Sequence, residues 1–261
     1  MKHVDIHSHL AWDLDDGISS VEECKKLLEK AAREHICEIV ATPHLVCGKH
    51  TCEDIAFFRA RIHDLKTLAS EFGIKVHAGS ELFINDMLFS QLQGRALLPI
   101  ENTRYILCEF DVRMKYDQDY ESIYDCLYEL IHAGYIPVLA HTERYFKEDI
   151  HIPAIKSFVD IGCVIQVNTS SILYPKNRTV KRNIKKLFNH NLVHVIATDS
   201  HHYTGKRCPN MEECFEVLSK KYDADELKIL FYKNPLAILS DQKILTTQFK
   251  RSKFSVWRLF K

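Results

Sequence analysis

Short apolar runs recur along this chain at intervals long enough for an intervening helix, and each ends on metal-binding side chains. The segments are Asp5-Ile6-His7-Ser8-His9, Thr42-Pro43-His44, Gly79-Ser80-Glu81, Cys108-Glu109, Ala140-His141 and Thr198-Asp199-Ser200-His201. A single His-x-His carries little information. Strand-like ends that all bear His, Asp or Glu constrain fold and chemistry together. Strands alternating with helices build a parallel sheet through right-handed crossovers. In parallel barrels the reactive groups gather at the C-terminal strand ends. The pattern predicts a parallel α/β barrel with a multinuclear metal centre at one mouth, and metal-dependent hydrolysis as its chemistry.

The strand candidates are 4–6, 37–41, 74–78, 105–108, 136–140, 164–167 and 193–197, and seven such units are expected to close into a barrel. Helices are expected at about 53–72, 120–133, 155–161, 179–190 and 211–222, with one more after Ser20, which forms a capping box with Glu23. The 261 residues suit one such barrel. The composition shifts only at the end, where residues 242–261 hold six Lys or Arg, no Asp or Glu, and Phe249, Phe254, Trp257 and Phe260. The expected organisation is a barrel over 1–241 and a basic aromatic tail over 242–261.

Thirty-five acidic residues balance thirty-five basic ones, so no global field favours nucleic acid. No apolar run reaches the length of a membrane span, and the start lacks a secretory leader, so a cytoplasmic location is expected. The nine cysteines are irregularly spaced and read as reduced thiols. Cys47, His50 and Cys52 form the nearest approach to a structural metal motif. No Cys has Arg six positions later, which argues against a cysteine phosphoenzyme. Dinucleotide, Walker and nucleophile-elbow motifs are absent from the sequence.

Strand side chains alternate, so His7 and His9 share a face, Asp199 and His201 do likewise, and Asp5 would lie one layer beneath His7. Gathering Asp16, Glu81, Glu109 and Asp199 into one mouth crowds negative charge that no nearby Lys or Arg set answers. Divalent cations are the natural answer, and imidazole with carboxylate suits Mn, Fe or Zn. His3, His35, His63, His132, His190 and His194 are assigned to surface or core. Arg144, three residues past His141, is a candidate phosphate clamp, since guanidinium pairs bidentately with phosphate oxygens. Lys206 and Arg207 are weaker candidates for the same task.

With these residues in view, the chain resembles the polymerase-and-histidinol-phosphatase (PHP) superfamily, and within it the bacterial manganese-dependent protein-tyrosine phosphatases of capsule and exopolysaccharide operons. The resemblance spans roughly residues 4–240 and rests on the segments above together with Asp15-Asp16-Gly17, His141-Thr142-Glu143-Arg144-Tyr145 and Gln166-Val167-Asn168. It implies a distorted seven-stranded TIM-like barrel and three divalent ions, Mn²⁺ first, with Fe, Zn or Mg as alternatives. The matching ligand positions are His7, His9, Asp16, His44, Glu81, Glu109, His141, Asp199 and His201. Arg144 matches a phosphate-binding arginine, and Arg207 a second one, with Lys206 as its alternative. Asp199, His201 and Arg144 would act in catalysis. The implied substrate is a phosphotyrosine protein, a membrane-associated tyrosine autokinase, and the tail could touch the membrane. A small-molecule phosphatase such as histidinol-phosphatase is the alternative, and a non-catalytic regulator a third possibility.

Overall fold

The apolar runs become strands buried on both faces, as parallel strands covered by helices must be. A computed structural model describes residues 1–114, 116–117 and 119–249. The strands are β1 (His3–Ser8), β2 (Ile36–Ala41), β3 (His44–Val46), β4 (Lys75–Ala78), β5 (Glu81–Phe83), β6 (Tyr105–Glu109), β7 (Ile136–Leu139), β8 (Val164–Asn168) and β9 (Val195–Ala197). They pair in parallel in the orders β1-β2-β4 and β3-β5-β6-β7-β8-β9. A parallel bridge between Ser8 and Ser200 joins the ends of β1 and β9. Asp199 N also donates to His7 O at 2.8 Å, and His9 N to Ser200 O at 2.8 Å.

The expected strands 37–41 and 74–78 appear as β2 and β4, and after a break each is followed by a short strand, β3 or β5, that was not expected. Pro43 has no N–H to give a ladder, and it separates β2 from β3. Gly79 separates β4 from β5 in a crowded spot, where a Cβ would lie 2.8 Å from Val40 Cγ1. After the breaks β3 and β5 pair with each other, and their first residues, His44 and Glu81, are direct ladder partners.

A register shift between Asp5 and Ser8 corrects the parity expected for β1. Val4 and Ile6, not Asp5, join the buried cluster of Leu107, Val138, Val164 and Val195 among the strands. Asp5 turns to the last strand, accepting from Thr198 N at 3.0 Å and from the Thr198 hydroxyl.

The helix Val21–Arg33 begins at Ser20, whose hydroxyl accepts from Glu23 N, but the expected box does not close there. The Glu23 carboxylate instead takes the Ser19 N–H and hydroxyl at 3.1 and 2.8 Å. A true capping box opens the helix Cys52–Ser70, between Thr51 and Asp54. Leu27, Leu28, Ile62, Leu65, Leu127 and Phe158 carry the helical side of the larger core cluster.

The helix Asn234–Leu239 packs Ile238 against the N-terminal ends of the strands. The described part of the tail continues along the body. Leu245 exchanges main-chain bonds with the Asn234 side chain, and Phe249 stacks near Phe188 and Tyr222. Residues 250–261, where most of the expected basic tail falls, lie outside the described residues.

His194, just before β9, is buried, and its Nδ1 accepts from Ile165 N at 3.0 Å. Burial pushes its pKa down to about 4. Below the ordinary value near 6.5 the unfolded chain takes a proton that the folded chain refuses. Stability should therefore fall as pH drops from about 6.5 to about 4, by about 3 kcal/mol in all from this group. His194→Asn keeps an acceptor but cannot titrate. Denaturant titrations should show its stability depending on pH less steeply across that window, by up to about 1.4 kcal/mol per pH unit. Equal slopes for the two proteins would exclude His194 as a source of acid sensitivity.

Candidate metal centre

The breaks and strand ends deliver the candidate ligands to one mouth. His7 lies on β1 and His9 just beyond it; His44 and Glu81 open β3 and β5; Glu109 closes β6; His141 follows β7; Asp199 and His201 follow β9. Asp16 comes in on the loop after β1. His141 and Asp199 both hold positive φ, 32° and 53°. Backbone strain of this kind in non-glycine residues concentrates where a side chain must be aimed.

The donor atoms interleave. His7 Nε2 lies 3.2 Å from Glu81 Oε1, 3.3 Å from His9 Nε2 and 3.5 Å from Asp199 Oδ1. His9 Nε2 is 3.2 Å from Glu81 Oε2. His44 places Nδ1 3.1 Å from Glu109 and Nε2 3.3 Å from Asp16. His141 Nε2 is 3.0 Å from Glu81, and His201 Nε2 is 3.4 Å from Asp16. Three overlapping groups, each with donor atoms within 4.8 Å of one another, emerge: His9, Asp16, His44 and His201; His7, His9 and Glu81; His44, Glu81 and Glu109. His141 and Asp199 stand outside these groups but touch their members.

The donor set suits divalent cations. It is imidazole and carboxylate without thiolate. Its carboxylates draw positive charge strongly. Burial alone would pull His9, His44 and His141 down, yet hydrogen bonds to Asp15 and Glu81, to Asp16 and Glu109, and to Glu109 and Glu81 raise them to about 9, 11 and 9. Glu81 and Asp199 are held well below the carboxylate range despite burial, chiefly by the charge of His7. Imidazolium protons here occupy the electrostatic place that divalent ions would take.

Arg144 Nη1 reaches Asp199 Oδ2 at 3.2 Å, and Arg207 Nη2 reaches Asp199 Oδ1 at 2.7 Å and His201 Nε2 at 2.9 Å. Lys206 is exposed, and no contact with this set is seen among the described residues, so Arg207 and not Lys206 is the second cation at the mouth. Asp5 supports the Thr198-Asp199 backbone rather than a ligand ring. The six histidines assigned to surface or core enter none of the three groups. Nor do Cys47 and Cys52, and His50 Nδ1 accepts from Val46 N at 2.9 Å.

The sequence marks Asp15 and Gly17 as a motif with Asp16 but assigns them no role, and it leaves Asn183 unmarked. Asp15 accepts from His9 Nδ1 at 2.6 Å, Gly17 N at 2.9 Å and His44 N at 3.0 Å, so it aims two ligands. Gly17 is required there, because a Cβ would lie 2.3 Å from His9 O. Asn183 donates to the carbonyls of Glu143 and Phe146 and so braces the Arg144 turn. No local signal marks it.

Burial pushes the thiols of Cys24 and Cys163 up to about 12 and those of Cys47 and Cys126 to about 11. Cys108 adjoins Glu109 in sequence but turns its thiol to Val138 O. Changing each of the nine cysteines singly to Ser should leave turnover of a phosphorylated substrate within about tenfold, since no thiolate is poised to attack. A folded, fully metallated and inactive Ser variant would overturn that.

Comparison with known proteins agrees with this geometry. Residues 3–240 match the family model for capsular polysaccharide synthesis, CpsB/CapC. The tyrosine-protein phosphatase CpsB of Streptococcus pneumoniae is 31% identical over 249 residues, covering 92% of this chain and 100% of that protein. A crystal structure from the pair YwqE of Bacillus subtilis and CpsB of Streptococcus pneumoniae, described as metal-dependent tyrosine phosphatases, superposes with TM-score 0.77 at 26% identity, over 96% of this chain and 99% of that one. The histidinol phosphate phosphatase of Lactococcus lactis shares the fold alone, with TM-score 0.54 at 13% identity, over 84% of this chain and 93% of that one.

Proposed function

The chain belongs to the CpsB/CapC family of capsular polysaccharide synthesis, and on that premise we propose that it is a metal-dependent protein-tyrosine phosphatase. The observation that carries this reading is the convergence of Arg144 and Arg207 on Asp199 beside the interleaved donor groups. Ligands for cations and forks for a phosphoryl group share one mouth.

Divalent ions bound there supply Lewis-acid activation of a water nucleophile near neutral pH and counter-charge for phosphoryl oxygens. The chain's own side chains set the rest of the chemistry. Arg144 and Arg207 offer planar N–H forks to non-bridging oxygens, whose charge redistributes in the transition state. Asp199 holds both forks in place. His201 Nε2 accepts from Arg207, whose guanidinium can only donate, and so presents a lone pair at the mouth near Asp16. The leaving tyrosinate has a parent pKa of about 10, so it asks less of a proton donor than an alkoxide does.

The rim favours a phosphate carried on a protein over a buried metabolite. The Asp16 side chain is 68% exposed, and those of Arg207 and His44 are 37% and 28% exposed. We take Mn²⁺ as the working cofactor, three ions in all, and a membrane-associated tyrosine autokinase of polysaccharide export as the substrate. The relatives' names support a phosphotyrosine protein as substrate, and the family supports a link to capsular polysaccharide synthesis. A cytoplasmic site of action goes with that substrate. No helix among the described residues is long and apolar enough to cross a membrane. The test is metal analysis of the purified chain alongside assays with phosphotyrosine peptide, phosphoserine peptide and histidinol phosphate. Phosphotyrosine peptide should be turned over fastest. A clear preference for histidinol phosphate would favour the small-molecule reading instead.

Recruitment by the basic segment 250–261 is a separate part of the proposal. Because Phe249 is tied to Asn191, Phe188 and Tyr222, truncation belongs after it and not after Asp241. That truncation should leave turnover of a short phosphotyrosine peptide unchanged and weaken binding to anionic vesicles, with the difference shrinking at high salt. Unchanged vesicle binding would end the recruitment idea.

A further inference from the structure

β8 supplies no candidate ligand, yet it turns two fully buried amides, Gln166 and Asn168, into the mouth. They are two residues apart on one strand and so share a face. Asn168 Nδ2 lies 2.6 Å from Asp199 Oδ2, and Gln166 Nε2 lies 2.7 Å from Asn168 Oδ1. Gln166 Oε1 lies 2.8 Å from His141 N and 3.3 Å from His7 Nδ1.

The polarity of this chain is fixed from both ends. An ionised Asp199 can only accept, so Asn168 must present its NH₂ to it. The Asn168 carbonyl oxygen then faces Gln166, which must donate. That turns the Gln166 carbonyl oxygen towards His7 and His141. Independently, the His141 main-chain N–H can only donate, and so it demands the same oxygen. Two obligatory partners, one at each end, agree on the orientation of both amides. A carbonyl oxygen facing His7 Nδ1 requires a hydrogen on that nitrogen.

We infer that Gln166 and Asn168 form a directional amide relay that fixes His7 as its Nδ1–H tautomer, so that the Nε2 lone pair faces the candidate metal centre. That lone pair points where Glu81 Oε1, His9 Nε2 and Asp199 Oδ1 lie, at 3.2, 3.3 and 3.5 Å. The relay also couples two ligands that are 192 positions apart in sequence, His7 and Asp199, through a strand that supplies neither. Gln166 and Asn168 are positioning residues. They act through the ring and the carboxylate they hold, as outer hydrogen bonds to metal-binding histidines do. The inference rests on the metal-centre reading given above.

The test uses the full chain loaded with Zn²⁺, which is diamagnetic, and long-range ¹H–¹⁵N correlation of the imidazoles. In the wild type the His7 signals should report hydrogen on Nδ1 and Zn²⁺ on Nε2. Gln166→Met removes both the acceptor and the donor. It should release the tautomer and weaken Zn²⁺ binding by about 10- to 100-fold in a chelator competition. Gln166→Glu keeps an acceptor for His7 and His141, so it should keep the tautomer. Asn168→Asp should keep the tautomer and weaken Zn²⁺ binding, because it sets a carboxylate against Asp199. If Gln166→Met does not fold, the wild-type and Gln166→Glu spectra decide. Zn²⁺ on His7 Nδ1 in the wild type, or a Gln166→Met protein with unchanged His7 signals and affinity, overturns the relay. A wild-type chain that binds no Zn²⁺ overturns the metal-centre reading itself, so the two failures are separable.

Discussion

Asp199→Asn is expected to lower turnover of a phosphotyrosine peptide by about a thousandfold or more, while the protein stays folded. Asn is nearly isosteric and tolerates the positive φ of 53° at this position, where Ala would add strain to the result. What the substitution removes is charge. One oxygen of Asp199 lies within 3.6 Å of His7, His9 and His201, and both arginines lean on the carboxylate. The neutral amide can neither attract a cation as strongly nor hold two guanidinium groups. Metal content measured on the same preparation should fall with activity. Chelation of the wild type should mimic the variant, and Mn²⁺ should restore the wild type at least as well as Mg²⁺. Full activity in a demonstrably metal-free preparation would sink the reading, and so would a well-metallated, fully active Asp199→Asn protein.

Arg144→Ala should cost about 2–4 kcal/mol in kcat/KM, the range for losing one strong charged stabiliser of a transition state. Arg144→Lys should recover only part of this, because an ammonium cannot form the two-pronged contact. The turn that carries Arg144 is braced from below by Asn183, so little else should move. Metal content therefore serves as a control and should stay at the wild-type level. Unchanged kinetics on phosphotyrosine peptide would remove Arg144 from the mechanism and leave Arg207 as the phosphate contact.

Much of this fold could be read from the chain because its strands are self-announcing. Tyr105 to Cys108 and Ile136 to Ala140 are apolar runs of strand length, and burial leaves no other use for them. The mouth was legible for the same reason: a histidine or carboxylate that ends such a run lies where strands converge. What escaped depended on contacts between distant segments. The short strands β3 and β5, just beyond Pro43 and Gly79, are three residues each, too short for local periodicity to reveal. Asp15 and Asp16 look interchangeable in sequence, and only the fold separates the one that aims His9 and His44 from the one that faces the cations. Parity failed at Asp5 because a bulge in β1 shifts register. Glu23 chose Ser19 over Ser20, a decision between two equal local options.

The first strand is tied to the last, Asp5 to Thr198 and Ser8 to Ser200, and the mouth draws on side chains from position 7 to position 207. No amino-terminal fragment holds the complete set. On the ribosome, the centre can assemble only after Arg207 has left the exit tunnel, so the nascent chain passes through most of its synthesis with its acidic ligands uncollected. A chain released early by a stop codon lacks Asp199, His201 and Arg207, and with them the tie between the first strand and the last.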